Sequence, residues 1–196
     1  VEKYLKAAMI NDPINLMDAS PIGDGAAAAL LVPLDQARSF NRHAPILVAG
    51  SSAATDTIAI QHRKDALFLK AAYESSKKAY AQANVMPKEV DFFELHDAFS
   101  IMAALSLEAN GFADRGQGPR LAMDGDILIN GKIPISTRGG LKARGHPVGA
   151  TGMYQIVEVI QQLRGEALNS QVSDAKIGMS QNIGGSGSNI ITHILR

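Results

Sequence analysis

From residue 46 onward, strand-like and helix-like segments alternate along the chain. Short apolar runs at residues 46–50 and 90–95 have the length and composition of buried strands. Longer segments with helical spacing, residues 66–83 and 98–110, follow them. This alternation restricts the chain to an α/β fold, because the apolar face of each helix must be buried against the sheet.

The alternation continues to the last residue. Residues 125–136 are predicted to hold short strands and turns, and residues 176–181 and 189–195 to form two further strands joined by a glycine-rich loop. The predicted order is βαβαβαββ, a mixed sheet covered by helices. The apolar stripes of the first and third helices are predicted to be Leu69, Ala72, Tyr73 and Tyr80, and Met153, Ile156, Val157, Ile160 and Leu163.

The residues before this region follow a different pattern. A short polar helix is predicted at residues 2–9 and a strand of small residues at residues 26–32. Pro33 and Pro45 then bracket a polar connection to the alternating region.

Composition excludes several classes of function. Lysine plus arginine and aspartate plus glutamate number 19 each, so the chain as a whole attracts neither nucleic acid nor an anionic membrane. No apolar run is long enough to span a bilayer, and residues 1–4 lack the pattern of a signal peptide. A cytoplasmic protein is expected. Because the sequence starts with valine rather than methionine, we also expect it to begin inside a longer polypeptide.

Cysteine is absent from the 196 residues. This excludes disulfides and thiolate metal ligands, and the spacing of histidine, aspartate and glutamate predicts no metal site. Phosphate-binding loops are not predicted either, since the glycines at 139–140 and 145–152 lack the lysine and spacing of a P-loop. A thiol nucleophile, if the chemistry needs one, must come from another part of the molecule.

His146 is the first candidate for chemistry. It lies in the sequence RGHPVGATG, residues 144–152, between a glycine-rich turn and the start of a helix. The backbone approaches a substrate closely at such a turn, and a helix N-terminus favours developing negative charge. A histidine that only caps the turn is the alternative interpretation.

His96 is the second candidate, because it follows the buried strand at 90–95 at the carboxyl end where α/β folds place functional groups. The next residue, Asp97, could orient a neighbouring imidazole or form the N-cap of the helix that follows, and the cap is the favoured interpretation. His43 and His62 lie in polar connections, and His193 fits an ordinary cross-strand position.

Four segments, in this order and spacing, resemble the carboxyl-terminal half of the thiolase family, especially its archaeal and sterol-carrier-protein-type members. They are DGAAA at residues 24–28, HDAF at 96–99, GHPVGATG at 145–152 and NIGGSG at 182–187. The resemblance implies that residues 1–44 are the end of the amino-terminal half plus a connection, and that residues 45–196 are the carboxyl-terminal thiolase domain.

The resemblance also implies roles for individual residues. His146 matches the histidine that activates a cysteine nucleophile, and His96 matches a residue that donates a hydrogen bond to the thioester oxygen. The backbone at Gly184 and Gly185 would form part of a second oxyanion site, although a hairpin turn alone also explains the glycines of this loop. Coenzyme A thioesters would be substrates, and no covalently bound cofactor is implied.

One feature departs from the family. Many thiolases have a proton-shuttling cysteine at the position of Asn182, and sterol-carrier-protein-type members have one at the position of Ala98; this chain has neither. Carbon–carbon bond formation needs a base, which His96 or His146 would have to supply. Acyl transfer survives the loss better.

Two hypotheses follow. The chain is part of an acyl-CoA acyltransferase of acetyl-CoA acetyltransferase type in lipid metabolism, or it is a thiolase-fold subunit with lost or reshaped chemistry that binds coenzyme A or a partner. A retro-aldolase is a third option. The resemblance further implies a homo-oligomer and a small zinc-ribbon/OB-fold partner protein.

Overall fold

The computed structural model describes residues 2–40 and 44–196. The helices are α1 (Glu2–Leu5), α2 (Leu34–Ala37), α3 (Lys70–Ala83), α4 (Ser100–Ala109), α5 (Gly118–Met123), α6 (Gly140–Arg144) and α7 (Thr151–Leu163). The strands are β1 (Met9–Asn11), β2 (Ile14–Asn15), β3 (Val48–Thr55), β4 (Phe92–Glu94), β5 (Gly178–Gly184) and β6 (Asn189–Leu195). Short 3-10 turns lie at Leu16–Asp18, Arg38–Phe40, Ile60–His62, Pro87–Glu89, Val148–Ala150 and Leu168–Ser170.

A four-stranded mixed sheet organises residues 48–195, with the strand order β3-β6-β5-β4. Strand β4 runs parallel to β5, whereas β6 is antiparallel to both β5 and β3. Parallel β4 and β5 bring their carboxyl ends to the same edge of the sheet. The predicted α/β class, a mixed sheet covered by helices, is confirmed.

One predicted strand is nearly absent. Residues 125–136 form successive turns and contribute only a single parallel bridge, between Phe93 and Ile135. The reason is a tight turn: Gly131 packs directly on the backbone of Asp126, whose carbonyl accepts a hydrogen bond from the Ile133 amide. A chain folded back so closely leaves only residues 134–136 to pair with β4, through hydrogen bonds to Phe93.

Helices α3 and α4 lie on one face of the sheet. The buried side of α3 is made of small residues, including Ala72, Ser75 and Ala79, so the helix packs close to β3. Gly50 of β3 touches the Ala79 backbone, where any side chain would collide. The predicted stripe is wrong at Tyr73, which is 39% exposed.

Helix α7 lies on the opposite face and buries a mainly polar side. Gln155, Glu158 and Gln162 are almost completely buried, and Gln155 donates to the Glu94 and Gln181 carbonyls of the sheet. The predicted apolar stripe is half-buried instead, and two of its members, Ile156 and Ile160, line a cavity of about 650 Å³ together with residues 29–34. The stripe therefore lies between the sheet and this cavity, because Ile156, Ile160 and Leu163 also pack against the cluster that contains Phe92 and Leu195.

The segment predicted as a strand at residues 26–32 is unpaired within the described part of the chain. Leu30 and Leu31 are 76% and 77% exposed. A strand needs a neighbour to accept its backbone hydrogen bonds, and the described residues present none to this segment. The earlier residues 19–23, by contrast, pair with the loops that hold Phe99 and His146.

Other differences concern element boundaries. Strand β3 starts at Val48 rather than residue 46, and α3 starts at Lys70 rather than residue 66. The predicted helix at 2–9 ends at Leu5, since Met9–Asn11 pairs with Ile14–Asn15. Among the described residues, no helix has the length and apolar character needed to cross a membrane.

Candidate active site

His96 lies just beyond β4, in the turn that leads to α4. Its side chain is 5% exposed. Burial, together with the nearby His146 and Arg144, lowers the pKa of His96 to about 4. The imidazole is therefore unprotonated at neutral pH.

His146 lies in the turn between α6 and α7. Gly145 before it has φ of +94°, a conformation that glycine adopts without strain and that lets the chain reverse. The backbone of His146 is held by its amide, which donates to the Pro21 carbonyl at 2.8 Å. Burial and the charge of Arg144 lower the pKa of His146, whereas the Asp97 carboxylate raises it.

The structure brings the two histidines together. Their ring centroids are 5.1 Å apart and the rings are nearly perpendicular, at 88°. The rings come from turns 50 positions apart in sequence, after β4 and before α7, so the contact depends on the fold. One ligand of a few atoms can reach both imidazoles at this separation.

In each ring, the Nδ1 atom lies within hydrogen-bonding distance of a neighbouring side chain. The Asn182 amide nitrogen lies 3.3 Å from His96 Nδ1 and donates to Gln155 Oε1 at 3.1 Å. An amide nitrogen only donates, so His96 Nδ1 accepts and the ring hydrogen lies on Nε2. His146 Nδ1 is 2.7 Å from Thr151 Oγ1, which leaves proton exchange with a ligand to Nε2. The site thus combines an N–H donor at His96 with an exchangeable nitrogen at His146.

Asp97 caps a different helix from the one expected. Its Oδ1 accepts from the Leu141 amide at 2.7 Å, at the start of α6, whereas α4 begins after Phe99 without a side-chain cap. The predicted cap on the following helix is therefore wrong, because the chain turns the carboxylate towards a segment over 40 residues later. Gly140 makes room for it, since a side chain there would collide with the Asp97 carboxylate.

Gly184 and Gly185 lie at the carboxyl end of β5. Because β4 and β5 are parallel, these glycines are at the same sheet edge as His96. Arg63 supports the loop through a 2.8 Å hydrogen bond from its guanidinium to the Ser186 carbonyl. The oxyanion role of the two backbone amides stays a prediction.

A cavity of about 480 Å³ opens next to the site, between α4, α5 and the turn at 127–136. Its walls are mainly apolar, with Asp97, Ser100, Ser136 and Lys142 as the polar lining residues. Lys142 Nζ donates to Ser100 Oγ at 2.9 Å across one end.

The remaining histidines lie apart from this pair. His62 is exposed in a 3-10 turn, and His193 lies opposite Ser51 and Ser180 in the sheet, as an ordinary cross-strand residue does. His43 lies outside the described residues. Among the residues that are described, no three histidine or acidic side chains are grouped as metal ligands would be.

Three largely buried charged residues near the histidines were not predicted from the sequence: Glu94, Arg144 and Glu158. Arg144 Nε is 2.8 Å from Glu158 Oε1 in an ion pair whose side chains are 14% and 6% exposed. The available signal was Glu94 itself, since a carboxyl within an otherwise apolar buried strand requires a partner.

Comparison with known proteins identifies the family of this chain. Residues 52–196 match the family model described as thiolase C-terminal domain-like. An acetyl-CoA acetyltransferase of Methanothermobacter thermautotrophicus is 45% identical over 194 residues, which are 99% of this chain and 50% of that protein. Sterol carrier protein 2 of Rattus norvegicus is 34% identical over 197 residues, 98% of this chain and 36% of that protein.

A solved structure described as "Ltp2-ChsH2(DUF35) aldolase" has the same fold. It superimposes with a TM-score of 0.86 at 24% identity, covering 99% of this chain and 50% of that chain. This chain thus spans about half the length of the archaeal acetyltransferase and of the superimposed structure. The fold, the family match and the curated relatives lead to one conclusion: the chain belongs to the thiolase family.

Proposed function

We propose that this chain contributes to a thiolase-type acyltransferase that acts on acyl-CoA thioesters, of the acetyl-CoA acetyltransferase type. The observation that carries the proposal is the contact between His96, just after β4, and His146, whose ring centroids are 5.1 Å apart. The archaeal acetyl-CoA acetyltransferase that is 45% identical supports the substrate class.

His146 is the proposed base. Its lowered pKa keeps the ring unprotonated at neutral pH, as a base requires. The ring would take the proton of a cysteine thiol, whose sulfur then attacks the acyl-CoA carbonyl carbon, and would return that proton to the coenzyme A thiolate that leaves. The cysteine must come from outside these 196 residues, which contain none.

His96 is the proposed oxyanion donor. Asn182 lies against its Nδ1 at 3.3 Å, which leaves Nε2–H for the thioester oxygen as negative charge develops on it. The backbone amides near Gly184 and Gly185 are proposed for a second oxyanion. Because Asn182 replaces a cysteine of many relatives, acyl transfer is the step that this chain supports best, and a Claisen step would need His96 or His146 as its base.

The absence of cysteine also favours a second candidate, a thiolase-fold subunit that binds coenzyme A or a partner protein but catalyses no acyl transfer. A homo-oligomer in the cytoplasm and a small zinc-ribbon/OB-fold partner remain part of the proposal. The partner draws support from the name of the superimposed structure, which includes ChsH2(DUF35).

Acylation of the complete gene product by acetyl-CoA, followed by intact-protein mass spectrometry, tests the proposal. We expect one acetyl adduct, formed about 10²–10⁴-fold more slowly in His146→Ala, because the base is lost. His62→Ala, at an exposed histidine, is the matched control and should acylate normally. An unchanged rate in His146→Ala would remove the residue from the mechanism. Coenzyme A binding without any adduct would favour the non-catalytic subunit.

The 196-residue chain by itself should not thiolyse acetoacetyl-CoA. It lacks cysteine, and an imidazole alone cannot form the acyl-thioester intermediate. Release of acetyl-CoA, followed by chromatography, measures this directly. Turnover by the purified chain, abolished in His146→Ala, would contradict the expectation.

A further inference from the structure

Three charged side chains are buried together behind the two histidines. Glu94 on β4 is completely buried, and Glu158 on α7 and Arg144 at the end of α6 are nearly so. Burying one ion costs several kcal/mol unless it is paired, so two carboxyls beside a single guanidinium require an explanation. Glu94 and Glu158 form the buried acid pair, and Arg144 is its cation.

Few hydrogen bonds reach the buried acid pair, and the buried Nε and Nη2 atoms of Arg144 likewise make none to the described residues. Glu94 Oε1 accepts from the Thr137 amide and hydroxyl at 3.0 and 3.1 Å, and Glu158 Oε1 faces Arg144 Nε at 2.8 Å. The Oε2 atoms of both glutamates are buried, and among the described residues no donor reaches either of them. A proton between the two carboxyls satisfies both oxygens at once and leaves one negative charge for Arg144.

The electrostatics agree with this geometry. Burial raises the pKa of Glu94 well above its ordinary value, and the charge of Glu158 and a hydrogen bond to it raise it further. Two neighbouring carboxyls in a dry site cannot both ionise without a large cost. Glu94 therefore keeps a proton at pH values where an exposed glutamate has lost its own.

Arg144 connects the buried acid pair to the histidines. It precedes Gly145 and His146 in the chain, and its guanidinium carbon lies 5.0 Å from the centre of the Tyr154 ring. Its charge lowers the pKa of both His96 and His146. The other charged group that acts on His146 is Asp97, which raises the pKa of that ring; Lys142 on α6 is engaged with Ser100.

We propose that Glu94 and Glu158 share one proton and, as a pair with a single negative charge, hold the Arg144 guanidinium at a fixed place behind His96 and His146. Arg144 is then a positioning residue for the site. The positive charge of Arg144 favours the unprotonated imidazoles, and the negative charge of the buried acid pair compensates that positive charge. The catalytic benefit rests on the proposed thiolase function, but the shared proton and its effect on the histidines do not.

Infrared spectroscopy of the complete gene product tests the shared proton. We expect a carbonyl band of one buried protonated carboxyl at neutral pH, absent in Glu94→Gln and in Glu158→Gln, because either glutamine supplies the donor that the proton supplied. Glu89→Gln, at an exposed glutamate, is the control and should retain the band. No such band in the wild type, or a band that survives both substitutions, would overturn the proposal.

The pH dependence of unfolding gives an independent readout. A carboxyl whose pKa is raised in the folded state binds a proton that the unfolded chain releases above its ordinary pKa of 4.5. Its stabilising effect is thus present at low pH and is lost as pH rises towards the folded-state pKa. The difference in thermal unfolding midpoint, wild type minus Glu94→Gln, should therefore decrease as the pH rises above 4.5. A constant difference between the two would contradict the shared proton.

Histidine titration by NMR tests the positioning role. Glu94→Gln should leave the pKa values of His96 and His146 unchanged, since one carboxylate still faces Arg144. Glu94→Gln with Glu158→Gln leaves the guanidinium unpaired and should lower both values, whereas Arg144→Met should raise both by about half a unit or more. If the double variant does not fold, Arg144→Met carries the test. Unchanged histidine titration in Arg144→Met would overturn the positioning role, whether or not the protein acylates.

Discussion

Asn182 controls the chemistry of His96 more directly than any residue next to that histidine in the chain. Its amide nitrogen lies between His96 Nδ1 and Gln155 Oε1, at 3.3 and 3.1 Å, so it assigns the ring hydrogen to Nε2. A cysteine at this position would offer only a weak S–H donor. The asparagine thus suits the donor role proposed for His96.

Changing Asn182 to aspartate should raise the pKa of His96 above about 4, because a carboxylate next to Nδ1 favours the protonated ring. Wild-type His96 stays unprotonated when folded, whereas the unfolded residue gains a proton below pH 6.5, so stability falls as pH drops from 6.5 towards 4. This loss should shrink in Asn182→Asp. NMR titration measures the pKa of His96, and Asn189→Asp, at an exposed residue of β6, is the control. Identical His96 titration in both variants would contradict the assignment.

Helix α6 shows how a short element can be built for a distant partner. It spans only Gly140–Arg144, too few residues to be stable alone. Its first amides are held by the Asp97 carboxylate, and it presents Arg144 and Lys142 on the site side. The helix therefore ties the His96 turn to the His146 turn.

Gly140→Ala should destabilise the protein more than Gly165→Ala. Both glycines have positive φ, +60° and +72°, so each alanine costs about 1–2 kcal/mol of strain. An alanine side chain at residue 140 would also collide with Asp97 and weaken the cap, which adds about 1 kcal/mol to the loss of stability. No atom lies near an alanine side chain at residue 165. Urea unfolding of the two variants measures the difference. Equal midpoints would show that the Asp97 cap contributes nothing.

Across the molecule, polar and apolar surfaces lie on unexpected sides. Helix α7 buries Gln155, Glu158 and Gln162 almost completely, while Ile156 and Ile160 are only half-buried and line the cavity next to residues 29–34. Leu30 and Leu31 are more than three-quarters exposed on the unpaired segment. An apolar surface of this kind is typical of an interaction site.

The chain expressed by itself should therefore self-associate at micromolar concentration, because apolar surface and an unpaired segment both invite contact. Leu30→Lys combined with Leu31→Lys should reduce the association. Light scattering after size-exclusion chromatography measures it. Met123→Lys, at a methionine that is 85% exposed on α5, is the control and should change nothing. A monomeric wild-type chain would show that the surface is not adhesive.

Local pattern was sufficient for the α/β class and for both histidines. A buried strand ends where His96 begins, and a glycine turn followed by a helix surrounds His146, so each position is marked within a few neighbouring residues. The thiolase resemblance and the mixed sheet were confirmed in the same way, since motif order and strand–helix alternation are properties of the linear chain.

Features that depend on long-range contact could not be read from the pattern. The helix that Asp97 caps begins more than 40 residues later, and the tautomer of His96 depends on Asn182 in another strand. An amphipathic repeat shows that α7 has two sides but not which side is buried more deeply, because both sides contact other parts of the chain. Residues 26–32 have strand-like composition, but a strand exists only where a neighbour accepts its hydrogen bonds. Composition and spacing are local, whereas pairing, burial and proton sharing belong to residues that meet only in the folded chain.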